Sequence, residues 1–384
     1  MKARVVRLRD INSRDEQLWR DLSCRAAEPN PFMEPDCLIP AALHLRFGGE
    51  IEIVLAEEDD RVYACIPVRA MRKYHFPYPF VTTEVRRTLE CGTPLVDAER
   101  GAEGMAAILS ALSKRRRITR SRALDLQRVS QDGPVFEACR AAAQMANLPF
   151  IVHESFDRGL LRRRPEPGYE RLFSAGLRHS LRRLRRRLAE QLGTEPGLVD
   201  QTADPDAVDR FLRLEGSQGY KVGTHGIAMT TEAGESEFFA DMCHRFAAAG
   251  RLHLLALVAG GQTVAMEVWL QGGGGLFRFK MAYDERYARY GPGLQMQVVA
   301  MEHFHKATDA DWIDTCTARG NEMALRLYPD RRRTAGIFVL LSRNPLDSAA
   351  VHSFMAVRPV HKWIYDKRHP TPSRSHPRQR PNAA

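Results

Sequence analysis

The clearest alternation of apolar and polar positions lies in the second half of the chain. Residues 252–259 (LHLLALVA) form a short apolar run closed by Gly260-Gly261, the pattern of a buried strand and a turn. Residues 263–270 (TVAMEVWL) predict a second strand, four glycines at 272–275 a hairpin turn, and residues 276–283 (LFRFKMAY) a third strand. Gly291-Pro292-Gly293 breaks the chain. Leu294, Val298, Met301 and Phe304 then recur at helical spacing over 294–307. A short strand at 312–315, a short helix at 322–327 and a strong strand at 337–341 complete this half. Three helices precede the strands: a basic one over 168–192, one over 205–215 with Asp204 as cap and Pro205 in first position, and one over 236–249. The last carries Phe238, Phe239, Met242 and Phe246 on one face.

The first half repeats this order more faintly. Strands are expected at 51–56 and 62–68 around Asp59-Asp60, with a third inside 81–91. A helix at 102–116, a strand at 123–129, a helix at 135–146 and a strand at 149–153 follow. A repeat at half the chain length points to a structural duplication, although strand–helix alternation is also common in α/β chains by coincidence. The boundary is expected near 158–167, where Arg162-Arg163-Arg164-Pro165-Glu166-Pro167 reads as a linker. Residues 366–384, with four prolines and no apolar side chain larger than alanine besides them, read as a disordered tail.

Composition adds bounds. At 384 residues the chain has room for two or three domains, and a hydrophobic fraction of 44% is enough for a sizeable core. No stretch approaches the roughly 20 apolar residues of a membrane span. The N-terminus has no apolar signal region, so a cytoplasmic location is the expectation. The net charge is +10, and only 8 of the 57 basic residues are Lys. An Arg-rich chain suits phosphate or carboxylate partners, but it equally reflects a GC-rich genome. Seven cysteines without a C-x-x-C pair argue against a metal finger or disulfide framework. They read as reduced, mostly buried residues.

The sharpest chemical feature is the run Phe279-Lys280-Met281-Ala282-Tyr283-Asp284-Glu285 followed by Tyr290-Gly291-Pro292-Gly293-Leu294. A strand ends, a polar loop follows, and a small-residue turn opens a helix. Free N–H groups at such a helix start attract anions, and pyrophosphate is the natural guest. Glu267 is a carboxylate within an apolar strand, either a candidate general base or a residue that faces outward or is paired in the core. Tyr283, at a strand end beside the turn, is placed to protonate a leaving group, with Lys280 and Asp284 flanking it.

These residues also carry a family resemblance. Residues 214–224 (LEGSQGYKVGT) are close to the pattern L-E-x-x-G-W/Y-K-G-x-x-G-T, and residues 280–293 to K-x-A-Y-D-E-x-Y-A-x-x-S-P-G, with Gly291 where Ser is usual. Glu28-Pro29-Asn30-Pro31-Phe32 matches an E-x-N-P-F signature. Residues 314–333, with Asn321, Met323, Pro329 and Arg331-Arg332, match a final block but lack the Tyr-Lys pair many relatives have there. In these features the chain resembles the GNAT acyltransferase superfamily and its CelD-like group, which is linked to cellulose biosynthesis and related to peptidoglycan FemAB-type transferases. The resemblance implies an α/β, mixed-sheet GNAT (acyl-CoA N-acyltransferase) fold in two tandem GNAT-like domains. These would be a degenerate one over 1–160 and an acyl-CoA-binding one over 161–365.

The resemblance further implies acetyl-CoA or another acyl-CoA as co-substrate, held at Arg289, Tyr290, Gly291, Pro292, Gly293 and Leu294. Glu215, Tyr220 and Lys221 would build the site of a small-molecule or saccharide amine acceptor. The expected reaction is direct attack of the amine on the thioester, with no metal. Two alternatives stay open. One is an aminoacyl-tRNA-dependent FemAB-like transferase. The other is a non-enzymatic protein that binds polyanions or nucleic acid on a GNAT scaffold. Both would use the eleven arginines of 158–187. Its densest run, 178–187, has no interleaved aromatic, which favours a solvated helix or a dock for an acidic acceptor. His303 and His305 do not share a helix face, which disfavours a metal site there.

Overall fold

The structure is a computed structural model that describes residues 1–71, 80–83, 90–119, 121–164, 173–217 and 228–368. Its first half runs β1 (Lys2–Arg7), α1 (Ser13–Arg25), α2 (Pro35–His44), β2 (Glu52–Glu58), β3 (Arg61–Met71), β4 (Phe80–Thr82), β5 (Leu95–Val96), α3 (Gly101–Thr119), β6 (Ala123–Ser130), α4 (Pro134–Met145) and β7 (Phe150–Arg162). Its second half runs α5 (Ala175–Leu192), β8 (Gly197–Asp200), α6 (Ala207–Ser217), α7 (Glu235–Ala248), β9 (Leu252–Ala259), β10 (Gln262–Gly272), β11 (Gly275–Tyr283), α8 (Pro292–Ala307), β12 (Trp312–Asp314), α9 (Glu322–Leu327), β13 (Asp330–Leu340) and α10 (Pro345–Arg368).

One mixed sheet joins both halves in the order β1-β2-β3-β4-β6-β13-β7-β12-β11-β10-β9-β8, with β5 beside β3. Read inward from either end, the sheet shows one pattern twice. Antiparallel neighbours lead to a single parallel pair, β4 with β6 and β11 with β12. At the centre the last strand of each half lies on the fifth strand of the other: β13 pairs with β6, and β7 with β12. The two exchanged strands pair with each other over ten residue pairs, from Asp330↔Leu160 to Val339↔Phe150, so neither half closes its sheet alone.

Hydrophobic burial organises both faces. On one face α1, α2, α6 and α7 share a single core in which Trp19, Phe32, Phe211, Phe239 and Phe277 are fully buried. On the other, α3 and α4 cover the first half, and α5, α8 and α9 cover the second. The 28–32 segment pins the halves together. Asn30 donates to the carbonyls of Cys91 (3.1 Å) and Thr93 (2.7 Å) and accepts from Phe32 N. Pro29 and Pro31 lie against Gly273 and Gly272 at the β10–β11 turn, and Phe32 meets Phe277 and Phe279. All seven cysteines are free, and only Cys24 is exposed.

Several expectations need correction. The strand expected at 149–153 is β7, thirteen residues long, and it runs through the start of the expected linker to Arg162. Residues 165–167 lie outside the described residues. The last strand begins at Asp330, seven residues earlier than expected. β1, α1, α2, β8 and α10 were not anticipated. α10 reaches Arg368, into the expected tail, and residues 369–384 are outside the described set. The aromatic run at 74–79 is also outside it.

Candidate active site

β11 pairs with β12 only over Gly275↔Trp312, Leu276↔Ile313 and Phe277↔Asp314. Beyond Phe277 the two strands part. Asp314 ends β12, and the chain turns away through Cys316 at φ +50° toward β7, where Thr315 N donates to Gly159 O. Among the described residues no strand pairs with that edge of β11 from Arg278 to Tyr283. The register between β10 and β11 also shifts at Val268/Trp269, so Phe279 is a bulged residue. A bulge re-aims the side chains beside it. Phe279 joins the core of α6 and α7, and Lys280 reaches α6 as well. Arg278, Met281 and Tyr283 belong to the α8 side.

The opening of α8 faces this edge. Asp284 accepts from Arg286 N and starts the short 3-10 turn Glu285–Tyr290. Gly291 follows at φ +62°, a left-handed conformation that favours glycine. Pro292 then occupies the first helical turn, and no side chain caps the helix. Gly293 sits so close to β11 that a Cβ would lie 3.0 Å from Met281 Cε and 3.3 Å from Tyr283 Cδ1. The helix therefore starts flush against the strand, and no side chain caps its first N–H groups. Tyr290 is buried and its hydroxyl donates to Gln191 Oε1 on α5 at 2.9 Å; exposed Arg289 donates to the same oxygen at 3.2 Å.

Glu267 is buried on β10, directly across from Met281. Its Oε1 accepts from Arg278 Nε, and Arg278 donates on to Gln297 Oε1 of α8 at 3.2 Å and lies against the Tyr328 ring. Burial alone lowers the Arg278 pKa, but Glu267 beside it outweighs that and holds the guanidinium charged. Among the described residues Glu267 Oε2 has no hydrogen-bond partner. Glu267 is thus the paired core carboxylate of the two sequence readings, and its second oxygen is buried without a hydrogen-bond partner among the described residues.

Lys280 Nζ meets Glu215 Oε1 at 2.7 Å, and Glu215 Oε2 accepts from Met229 N at 2.9 Å. Two residues read separately, one at a strand end and one at a helix end, are therefore brought together. Tyr220 and Lys221 lie outside the described residues. Asp284 is held below the usual carboxylate range, chiefly by its hydrogen bonds from Arg286. It caps and pairs, so it is not an unengaged acid.

A second polar centre was not anticipated. Fully buried Arg158 on β7 donates to Asp314 Oδ2 at 2.7 Å, Arg332 on β13 donates to the same oxygen at 2.8 Å, and Cys316 N donates to Oδ1 at 2.8 Å. Its partners stand 156 residues apart in sequence, so no local pattern marks it. The only signal was three charged positions in stretches flanked by strand residues.

The Acetyltransferase (GNAT) domain family matches residues 175–322, from α5 to the start of α9. The chain thus carries a GNAT-type acetyltransferase domain within an α/β fold of the GNAT kind. Among solved structures, FemX superposes with a TM-score of 0.59 at 10% identity, covering 91% of this chain and 99% of that one. A conserved protein of unknown function from Bacteroides thetaiotaomicron gives 0.56 at 12%, covering 86% and 98%. L-PGS from Bacillus licheniformis gives 0.51 at 10%, covering 84% and 97%. At these identities the likeness is one of fold. No curated protein sequence matches the chain. Among the described residues no helix is long and apolar enough to cross a membrane, and no group of three His, Cys, Asp or Glu is placed to hold a metal ion.

Proposed function

We propose that this chain transfers an acetyl or other acyl group from acyl-CoA to an amine acceptor by direct attack, without a covalent enzyme intermediate. The observation that carries this is the uncapped α8 start, Gly291 to Leu294, set flush against the open edge of β11. Uncapped N–H groups and the helix dipole favour the pyrophosphate of CoA. The free edge of β11 offers backbone donors to the thioester oxygen as charge develops on it. In this reading the amine nitrogen bonds to the thioester carbon, the C–S bond breaks, and the thiolate takes its proton from the Tyr283 hydroxyl. The unpartnered, buried oxygen of Glu267 receives the proton that the amine gives up. Lys280 and Glu215, joined across β11 and α6, form a wall of the acceptor site. The acceptor class we assign is a small-molecule or saccharide amine.

The alternative keeps the fold and changes the donor to an aminoacyl-tRNA. What favours it is the exposed arginine surface of α5, together with the overall likeness to FemX. The two readings separate in one assay: thiol release from acetyl-CoA against a panel of sugar amines, polyamines and peptides. Amine-dependent thiol release is expected, and Tyr283→Phe should lower kcat about 100-fold with little change in KM for acetyl-CoA. Undiminished turnover by Tyr283→Phe would remove it from the mechanism. No release with any amine, with transfer from aminoacyl-tRNA instead, would establish the alternative.

A further inference from the structure

Most described arginines of this Arg-rich chain are neutralised by carboxylates. Arg4 pairs with Asp15, Arg20 with Asp36, Arg25 with Asp97, Arg251 with Glu34, and Arg158 with Asp314. α5 is different. It is a helix with a leucine seam, Leu177, Leu181, Leu184, Leu188 and Leu192, laid on the elements around the start of α8. Leu184 Cδ1 comes within 3.3 Å of where a Gly291 Cβ would stand, and Gln191 holds Tyr290 and Arg289.

At 3.6 residues per turn the arginines sort into flanks of that seam. Beside the seam, away from Gln191, Arg178 donates to Phe173 O, and Arg185 pairs with Glu195 and donates to Pro196 O, while at the back of the helix Arg186 pairs with Glu190 and Arg182 is exposed. On the Gln191 flank stand Arg187 and Arg183, about 60° and 100° around the helix from Leu184. Both are exposed, and neither has a hydrogen bond or ion pair among the described residues. Arg289 is exposed on the same side, across Gln191.

We infer that Arg183 and Arg187, with Arg289, form a second phosphate subsite beside the α8 start, one that reads the 3′-phosphate of CoA. This rests on the acyl-CoA reading above and adds a specificity determinant to it. The physical case is that a guanidinium fork suits a phosphate monoester, and that two such forks one helical turn apart lie on the flank of α5 where Gln191 holds Tyr290 and Arg289. Arg183 and Arg187 are about 6 Å apart along the helix axis. No aromatic interleaves them for base stacking, which disfavours a single-stranded nucleic-acid track.

The test is calorimetric titration of the full chain with CoA, with 3′-dephospho-CoA and with bulk unacylated tRNA. Arg183→Gln/Arg187→Gln is the test variant, and Arg182→Gln, on the far side of the helix, is the control. Wild type should bind CoA about tenfold tighter than dephospho-CoA, as expected for charge-assisted hydrogen bonds. The double variant should lose that preference while keeping its affinity for dephospho-CoA, and Arg182→Gln should retain the preference. Equal binding of both nucleotides by wild type would overturn the inference while leaving the acyl-CoA reading standing. So would a preference that survives in the double variant. Absence of binding to either nucleotide, with tight tRNA binding that the double variant loses, would overturn both.

Discussion

Glu267 and Arg278 face each other inside the α8 layer, 1% and 8% exposed, and each is the other's charge partner. Removing one charge from such a pair leaves the other buried and uncompensated. Glu267→Gln should therefore destabilise the protein by about 3–5 kcal/mol, read as a lower urea midpoint. An unchanged midpoint would show that water already reaches the pair. Asp314 is the second case. Burial pushes its carboxyl up, but Arg158 and Arg332 outweigh that, and its pKa lies below the ordinary range. Asp36, with Arg20 and Arg251, is lowered in the same way against its burial. A carboxylate lowered on folding adds stability above its unfolded pKa and loses it as pH falls through the folded one. Stability should thus decline below about pH 4. Urea midpoints taken between pH 5 and 3 should show a shallower decline for Asp314→Asn than for wild type. Identical slopes would mean that Asp314 does not titrate with folding.

At the scale of elements, the bulge at Phe279 and the left-handed Gly291 position the site between them. Phe32 supports the first of these from the other half of the chain, against Phe277 and Phe279. Phe32→Ala should cost about 3–5 kcal/mol and loosen β11 as well, which hydrogen exchange at the β11 amides would report. Wild-type exchange there would contradict that support. The elements legible in the sequence were those whose residues repeat locally: β9, β10 and β11, α8 and α9 lie within a residue or two of the pattern. β7 was not legible beyond its first residues, because Glu154 and Asp157 interrupt its apolar pattern and Arg158 opened the stretch read as a boundary. Their company is supplied by β13 and β12. The same reason hid the pairing of Lys280 with Glu215 and the partner of Glu267. α10 was missed because its apolar face, Val351 and Phe354, is short and meets Phe80 and Phe338 from distant strands.

At the scale of the whole molecule, the exchange of β7 and β13 makes the two halves one folding unit. Residues 1–160 made alone would leave β6 without β13, and 161–384 would leave β12 without β7. Each would expose a strand edge at the centre of the sheet. Both fragments should aggregate or remain poorly structured, and co-expression should restore a 1:1 complex seen by size-exclusion chromatography. A monomeric 161–384 fragment with cooperative thermal unfolding would contradict that. The same continuity sets the gap beside β11 under helices of the second half, with the first half as its support. The central claim is that the α8 start holds the donor's pyrophosphate. Its most direct test is calorimetric titration of acetyl-CoA into wild type and Gly291→Glu, with circular dichroism to confirm that the variant folds. Micromolar binding to wild type and none to the variant are expected, since the variant brings a negative charge to the helix start on a side chain that begins against Leu184. Absence of binding to wild type, or equal binding to both, would contradict it.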